Sequence, residues 1–331
     1  MKTKAKALLV GAMTLALAGC GLQPASQYIP EVEAGPELDE FESMEGLEIV
    51  TTSKDFTEQL VLGRILTLVM AAQGAEVTDR TDAKGSVNAR EAMMRDDADI
   101  MWEYTGTAWV AYFGYGDGDP SLDGTSVELG DSVAVHQAVK EEDLQENQIY
   151  WSDPAPFNNT YAIAVTEEDA EEYDLTTLDD IQNVPESDQT FCLEPEFESR
   201  GDGWPGMQDA YDMDVPSGNV SVMDAGIVYS QVGDTCFFGE VFDTDGRIVS
   251  NNLVTLEDNR NFFPIYEPAV TVRESIYDDH PDIAGIFEKI GNRLDTDTMR
   301  DLNQRVDVQG ENPVNVAQDW LTDEGFLAEE D

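Results

Sequence analysis

The sequence predicts an α/β protein folded in two lobes, and three observations lead there. Strand-like and helix-like stretches alternate along most of the 331 residues. The body opens as strand, short turn, helix and second strand, a unit whose ligand edge lies where strand ends meet helix starts. From Leu47 onward about 285 residues remain, enough for two domains with separate cores.

The chain begins with Lys2, Lys4 and Lys6, a twelve-residue apolar run from Ala7 to Ala18, then Gly19 and Cys20. Crossing a membrane takes roughly 18 apolar residues, so this run reads as an export leader with small residues before its cleavage point. Leu17-Ala18-Gly19-Cys20 resembles a bacterial lipobox, which implies that residues 1–20 are a lipoprotein signal peptide and that Cys20 carries the lipid. Residues 21–46 hold Pro24, Pro30, Gly35, Pro36 and many acids among few apolar side chains, and are expected to be a disordered acidic tether. Export also places Cys192 and Cys236 where disulfides persist. A bridge is expected between them, two separately buried thiols being the alternative.

Within the body, "LEIVTTS" reads as a strand, and "FTEQLVLGRILTLVMAAQG" as a helix with Leu62, Ile65, Leu66, Val69 and Met70 at helical spacing. Thr57 or Asp55 is expected to cap it. The free amides of such a helix start attract anions, so Ser53 to Gln59 is a natural cradle for a carboxylate or phosphate. "AEVTD" follows as a second strand, residues 86–97 as a second helix, and "NNTYAIAVTEE" as a strand in the middle of the chain. Helical patterns recur near 281–293, 296–305 and 313–326. The order of elements puts 47–156 with 263–331 in one lobe and 157–262 in the other, the chain crossing near Phe157 and returning near Phe263.

Composition narrows the function. Against 18 Lys+Arg stand 69 Asp+Glu, a net charge of −51. Nucleic acid is thereby excluded as a partner. So large a charge keeps a chain soluble at the expense of self-repulsion, which salt screens, and it suggests a salt-tolerant host. Catalytic equipment is scarce: the histidines are His136 and His280, and there is no G-x-S-x-G, H-E-x-x-H or phosphate-binding glycine loop. Asp117, Asp119, Ser121 and Glu128 take the first, third, fifth and twelfth places of a calcium-type loop, but Leu122 stands where the sharp turn needs glycine. An acidic surface insertion is the expectation there, and no metal or cofactor is expected anywhere.

The stretches "TTSKDFTEQLVLGRIL", "DADIMWEYTGTAW", "FNNTYAIAV", "EFESRGDGWPGM", "DTDGRI", "LEDNRNFFPIYEPAVTV" and "NPVNVAQDWLTDEGF" resemble, in order, the substrate-binding lipoproteins of ABC importers for glycine betaine, choline and carnitine. The similarity runs over about 47–327. It implies a two-lobed periplasmic-binding-protein-like (type II) fold, each lobe a central β-sheet flanked by helices, with the ligand in the cleft. A quaternary ammonium has no N–H to donate, so it is recognised by aromatic faces that attract its charge and match its methyl surface. The resemblance places that box at Tyr104, Tyr161, Phe242 and Tyr266. Phe242 departs from the family's usual tyrosine; the ring face is kept and the hydroxyl lost. Trp109, Tyr112 and Phe113, beside Tyr104, are expected to pack the lobe.

For the ligand's carboxylate the resemblance implies Lys54, Thr107 and Arg200, with Gln59 and Asn159 as weaker candidates. Lys54 coincides with the helix-start cradle read independently. Arg200 would reach in from the second lobe, or else pair locally with Asp202. The expected partners are a quaternary ammonium small molecule, permease subunits in the membrane, and the membrane itself through the lipid, with the chain acting as a monomer on the extracytoplasmic face. A secreted enzyme acting on choline-like compounds through a carboxylate such as Asp245, and a sensor that signals without transport, are the rival readings.

Overall fold

The computed structural model describes residues 28–329. Cys20, the leader and the first part of the expected tether lie outside the described residues.

Strand β1 (Glu48–Lys54) feeds helix α1 (Thr57–Ala72), whose face of Val61, Leu62, Ile65, Leu66 and Val69 is fully buried. Neither expected cap forms. Phe56 takes the N-cap position without a side-chain bond, because Asp55 turns aside to accept from Gly85 N at 2.9 Å and to pair with Lys84 at 2.8 Å. Strand β2 (Glu76–Ala83), helix α2 (Gly85–Met94) and strand β3 (Ile100–Tyr104) follow. After a helix over Ser132–Asn147, β4 (Ile149–Trp151) ends the first pass through this lobe.

The chain then crosses. Strands β5 (Tyr161–Thr166), β6 (Phe191–Leu193), β7 (Val220–Val222), β8 (Phe238–Phe242) and β9 (Leu253–Leu256) build a second sheet before β10 (Pro268–Arg273) returns to the first. The strand orders are β2-β1-β3-β10-β4 and β7-β6-β8-β5-β9. In each sheet the first three strands run parallel, and the strand that arrives from the other lobe, β10 or β5, lies antiparallel to both of its neighbours. The crossing segments are tied to each other: Asn159 N donates to Tyr266 O at 3.1 Å and Tyr266 N to Asn158 Oδ1 at 2.7 Å.

The helical patterns near the C-terminus appear as Asp282–Gly291, Thr296–Asp307 and Pro313–Asp323, packed on the first lobe's core with α1. Cys192 and Cys236 are joined as a disulfide, their Cα atoms 5.6 Å apart.

The tether expectation is corrected over residues 28–46. Leu38 and Met44 are buried in the first lobe's core, with Ile29, Val32 and Phe41 packed against it. Gly35 N donates to Phe326 O at 2.8 Å and Glu37 N to Gly325 O at 3.1 Å, binding this segment to the C-terminal turn. The approach is so close that a Cβ on Gly35 would clash with Gly325 O. A few well-spaced apolar side chains sufficed to dock a stretch whose average composition reads as unfolded.

Candidate functional site

The site is assembled by strand ends. In the antiparallel pair β5–β8, Tyr161 lies directly opposite Phe242, so their rings meet, with centroids 5.4 Å apart. In the pair β3–β10, Tyr104 lies opposite Pro268. That register sets Tyr266, two residues earlier, beside the mouth of β3. Tyr266 meets Tyr161 edge to face at 5.5 Å. The four aromatic positions implied by the resemblance thus come from the two sheets and converge on one cavity of about 560 Å³.

A fifth ring was missed. Phe56, in the turn between β1 and α1, stacks on Phe242 at 5.0 Å and on Tyr104 at 6.1 Å, and it lines the same cavity. Its signal in the sequence was its place between Lys54 and Thr57, within the turn already read as a ligand edge. Burial pushes the Tyr104, Tyr161 and Tyr266 hydroxyls well above the usual tyrosine range, so all three are neutral donors.

Among the expected anion contacts, Lys54, Thr107, Asn159 and Arg200 line the cavity. Gln59 does not. It is fully buried behind the wall, its Oε1 accepting from Lys54 N at 3.3 Å, because its side of the first turn of α1 already faces the core.

Lys54 and Arg200 both reach the cavity with partners. Lys54 Nζ donates to Glu103 Oε1 at 2.6 Å and lies 4.8 Å from the centre of the Tyr104 ring. Glu103 also accepts from Tyr112 OH at 2.5 Å, so Tyr112 does more than pack: it holds the counter-charge of Lys54 in place. Arg200 donates through Nε and Nη2 to Asp202, at 2.8 and 2.5 Å, while Tyr266 OH donates to Asp202 at 2.8 Å. The two readings of Arg200 are therefore both met: it reaches in from the second lobe, and it pairs with Asp202. Its remaining Nη1 is 3.6 Å from Glu196.

Lys84 and Arg247 complete the cations at the wall, paired with Asp55 and with Asp245. Asp245, the carboxylate an enzyme reading would need, is thus engaged by Arg247. Glu194 adds acidic oxygens to the wall, though burial, with Glu196 beside it, pushes its carboxyl up to about 7 and leaves it only partly ionised near neutral pH. The cavity consequently presents ring faces and an excess of acidic oxygens over free cationic N–H groups.

Two further features lie away from this site. The acidic loop at 117–128 spends its carboxylates on its own backbone and hydroxyls, Asp117 accepting from Leu129 N and Asp123 from Thr125 N, both at 2.8 Å. Among the described residues no three His, Cys, Asp or Glu side chains gather as metal ligands. No helix among them is long and apolar enough to cross a membrane.

Two α/β lobes joined by paired crossings, with a ring-lined cleft between them, define a type II periplasmic-binding-protein-like solute receptor. Residues 48–323 match the family model for the substrate-binding domain of ABC-type glycine betaine transport systems, OpuAC, and the chain belongs to that family. The glycine-betaine-binding protein of Pseudomonas aeruginosa is 35% identical over 83% of this chain and 87% of its own length. An ergothioneine transport permease/binding protein of Helicobacter pylori is 30% identical over 84% of this chain, which spans 48% of that longer protein. The Escherichia coli glycine betaine-binding protein YehZ is 30% identical over 83% of this chain and 90% of its own. Its apo structure superimposes with a TM-score of 0.61, covering 84% of this chain and 99% of that one.

Proposed function

We propose that this chain is the extracytoplasmic receptor of an ABC importer, capturing a quaternary ammonium compatible solute such as glycine betaine, choline or carnitine and delivering it, chemically unaltered, to permease subunits. The lobes at 47–156 with 263–331 and at 157–262 close on it, and lipid on Cys20 holds the receptor at the membrane. The observation that carries this reading is the meeting of Phe56, Tyr104, Tyr161, Phe242 and Tyr266 around one cavity, drawn from both sheets.

Each ring face turned to a methylated cation contributes about 0.5–2 kcal/mol, and micromolar affinity corresponds to about 8 kcal/mol. Rings therefore supply much of what is needed. The surrounding carboxylates add attraction for the cation. The ligand's acid group, where it has one, falls to Thr107, Lys54 and Nη1 of Arg200, assisted by Asn159. Because Lys54 and Arg200 are already paired, the ammonium end dominates recognition.

Calorimetry with glycine betaine, choline, carnitine, proline betaine and ergothioneine tests this, with recovery of each ligand by mass spectrometry. Binding of at least one, without turnover, is the expected result. Absence of heat for every member, or conversion of any, would remove the reading.

A further inference from the structure

Glu58 has no place among the ligand contacts, yet it ties the walls of the cleft together. It sits in the first turn of α1, 2% exposed. Its Oε1 accepts from Tyr104 OH at 2.7 Å. Its Oε2 lies 2.6 Å from Thr244 Oγ1, just beyond β8 on the opposite lobe. Asn303 Nδ2 stands 3.4 Å from the same oxygen and donates to Thr244 O at 3.1 Å. Thr244 Oγ1 is in turn 2.9 Å from Asn159 Oδ1, on the first crossing segment.

The protons in this chain can be counted. A hydroxyl owns one proton, and an ionised carboxylate and an amide oxygen own none to give. With Glu58 ionised, Thr244 Oγ1 can serve Glu58 or Asn159 but not both, and one buried pair of acceptors is left facing without a hydrogen, which is costly. With the Asn159 amide oriented Oδ1 toward Thr244, a proton on Glu58 Oε2 resolves the conflict; turning that amide over is the other arrangement that would.

We propose that Glu58 is a positioning residue that holds a proton in the closed molecule, Oε2–H donating to Thr244 Oγ1 and Thr244 to Asn159 Oδ1, so that lobe closure takes up one proton and fixes Tyr104 against the second lobe. The charged groups nearest this chain are Asp245 and Arg247 beyond β8 and Asp307 on the helix Thr296–Asp307. Arg247 is shared between Asp245 and Asp307, at 2.5 and 3.4 Å, so no spare cation favours an ionised Glu58. Burial pushes the Glu58 carboxyl up to about 7, outweighing the bonds from Thr244, Tyr104, Asn303 and Asn159 that pull it down. Opening the lobes removes Thr244 and admits water, which returns the group toward its ordinary range.

The inference rests on a cleft that closes around ligand, as proposed above, and its test separates the two claims. Glu58→Gln keeps an acceptor for Tyr104 and supplies an amide donor to Thr244, copying the protonated acid. Glycine betaine and choline are titrated into wild type, Glu58→Gln and Glu58→Ala across about pH 5 to 8. The expected wild-type affinity falls by up to about tenfold per pH unit between about 5 and 7, the linkage of a single proton, and then levels. Glu58→Gln keeps the wild-type affinity of the acid limb and loses that slope, whereas Glu58→Ala binds more weakly throughout.

A Glu58→Gln protein that binds at least about tenfold more weakly than wild type near pH 5, or that retains the wild-type slope, overturns the proposal. Should neither ligand bind wild type, the ligand reading fails by itself, and the clasp is read from small-angle X-ray scattering without ligand. Wild type then opens relative to Glu58→Gln from about pH 5 to 7 if the proposal holds, and the two proteins keep the same dimensions at every pH if it does not.

Discussion

Tyr161 and Phe242 face each other because they are paired residues of neighbouring strands, and this register explains why rings 81 positions apart in the chain share a wall. Tyr161 touches Phe242, Tyr266, Phe197 and Phe263, so its removal takes away a ring face and the spacer that keeps the others apart. Tyr161→Ala and Tyr266→Ala are each expected to weaken glycine betaine binding at least about tenfold, or roughly 1.4 kcal/mol, by calorimetry. Phe56→Ala should cost a similar factor, since Phe56 bridges Phe242 and Tyr104. Unchanged affinity in all three would mean that the rings are packing only. At this scale the sequence identified eight of the cavity residues through motif resemblance: Lys54, Tyr104, Thr107, Asn159, Tyr161, Arg200, Phe242 and Tyr266. It could not show that Lys54 arrives with Glu103 and Arg200 with Asp202, because such pairings depend on side-chain directions that no spacing encodes. Gln59 failed for a related reason: a helix start faces both ligand and core, and two positions within its first turn, Thr57 and Gln59, face opposite ways.

At the scale of elements, legibility followed periodicity. The helix Asp282–Gly291 buries Ile283, Ile286, Phe287 and Ile290, a spacing that can be read directly, and its limits agree with the pattern to within a turn. The segment 28–46 carried no such period, and its docking depends on single anchors, Leu38 and Met44, that composition averages away. The disulfide is the element-scale feature most open to test. Cys192 ends up in β6 and Cys236 just before β8, closing 44 positions of sequence. In the chain-entropy account a loop of that length stabilises by about 4 kcal/mol. The double variant Cys192→Ala, Cys236→Ala is expected to lower unfolding free energy by up to about 4 kcal/mol in urea titration. Its affinity should stay within about threefold of wild type at temperatures where it remains folded, because the bridge lies in the second lobe's interior and not at the cavity. No change in the urea midpoint would contradict this.

For the whole molecule, charge is the governing quantity. Lys54, Lys84, Lys140 and Lys289, the lysines beyond the leader, each stand in an ion pair, and the uncompensated charge is acidic. Added salt shortens the reach of that repulsion. Melting temperature should therefore rise with sodium chloride; a flat or falling curve would oppose the inference of a salt-adapted surface. Acidity acts in the same direction. Burial raises the carboxyls of Glu58 and Glu194 to about 7 and of Asp307 to about 6. The folded state thus binds protons more tightly than the unfolded chain, and the stability this contributes is present below about pH 4.5 and lost as pH rises to about 7. Melting followed by circular dichroism is expected to occur at a higher temperature near pH 5.5 than near pH 7.5.

The knot of bonds between Asn158, Asn159 and Tyr266 gives the two crossing segments a common axle. Parts near an axle travel least when a door swings. Tyr161 and Tyr266 adjoin it, so under the proposed closure these two of the five rings stay together while the lobes stand apart. An arriving solute then meets a ready-made corner, and Phe56 and Tyr104 come to it afterwards as the far wall shuts.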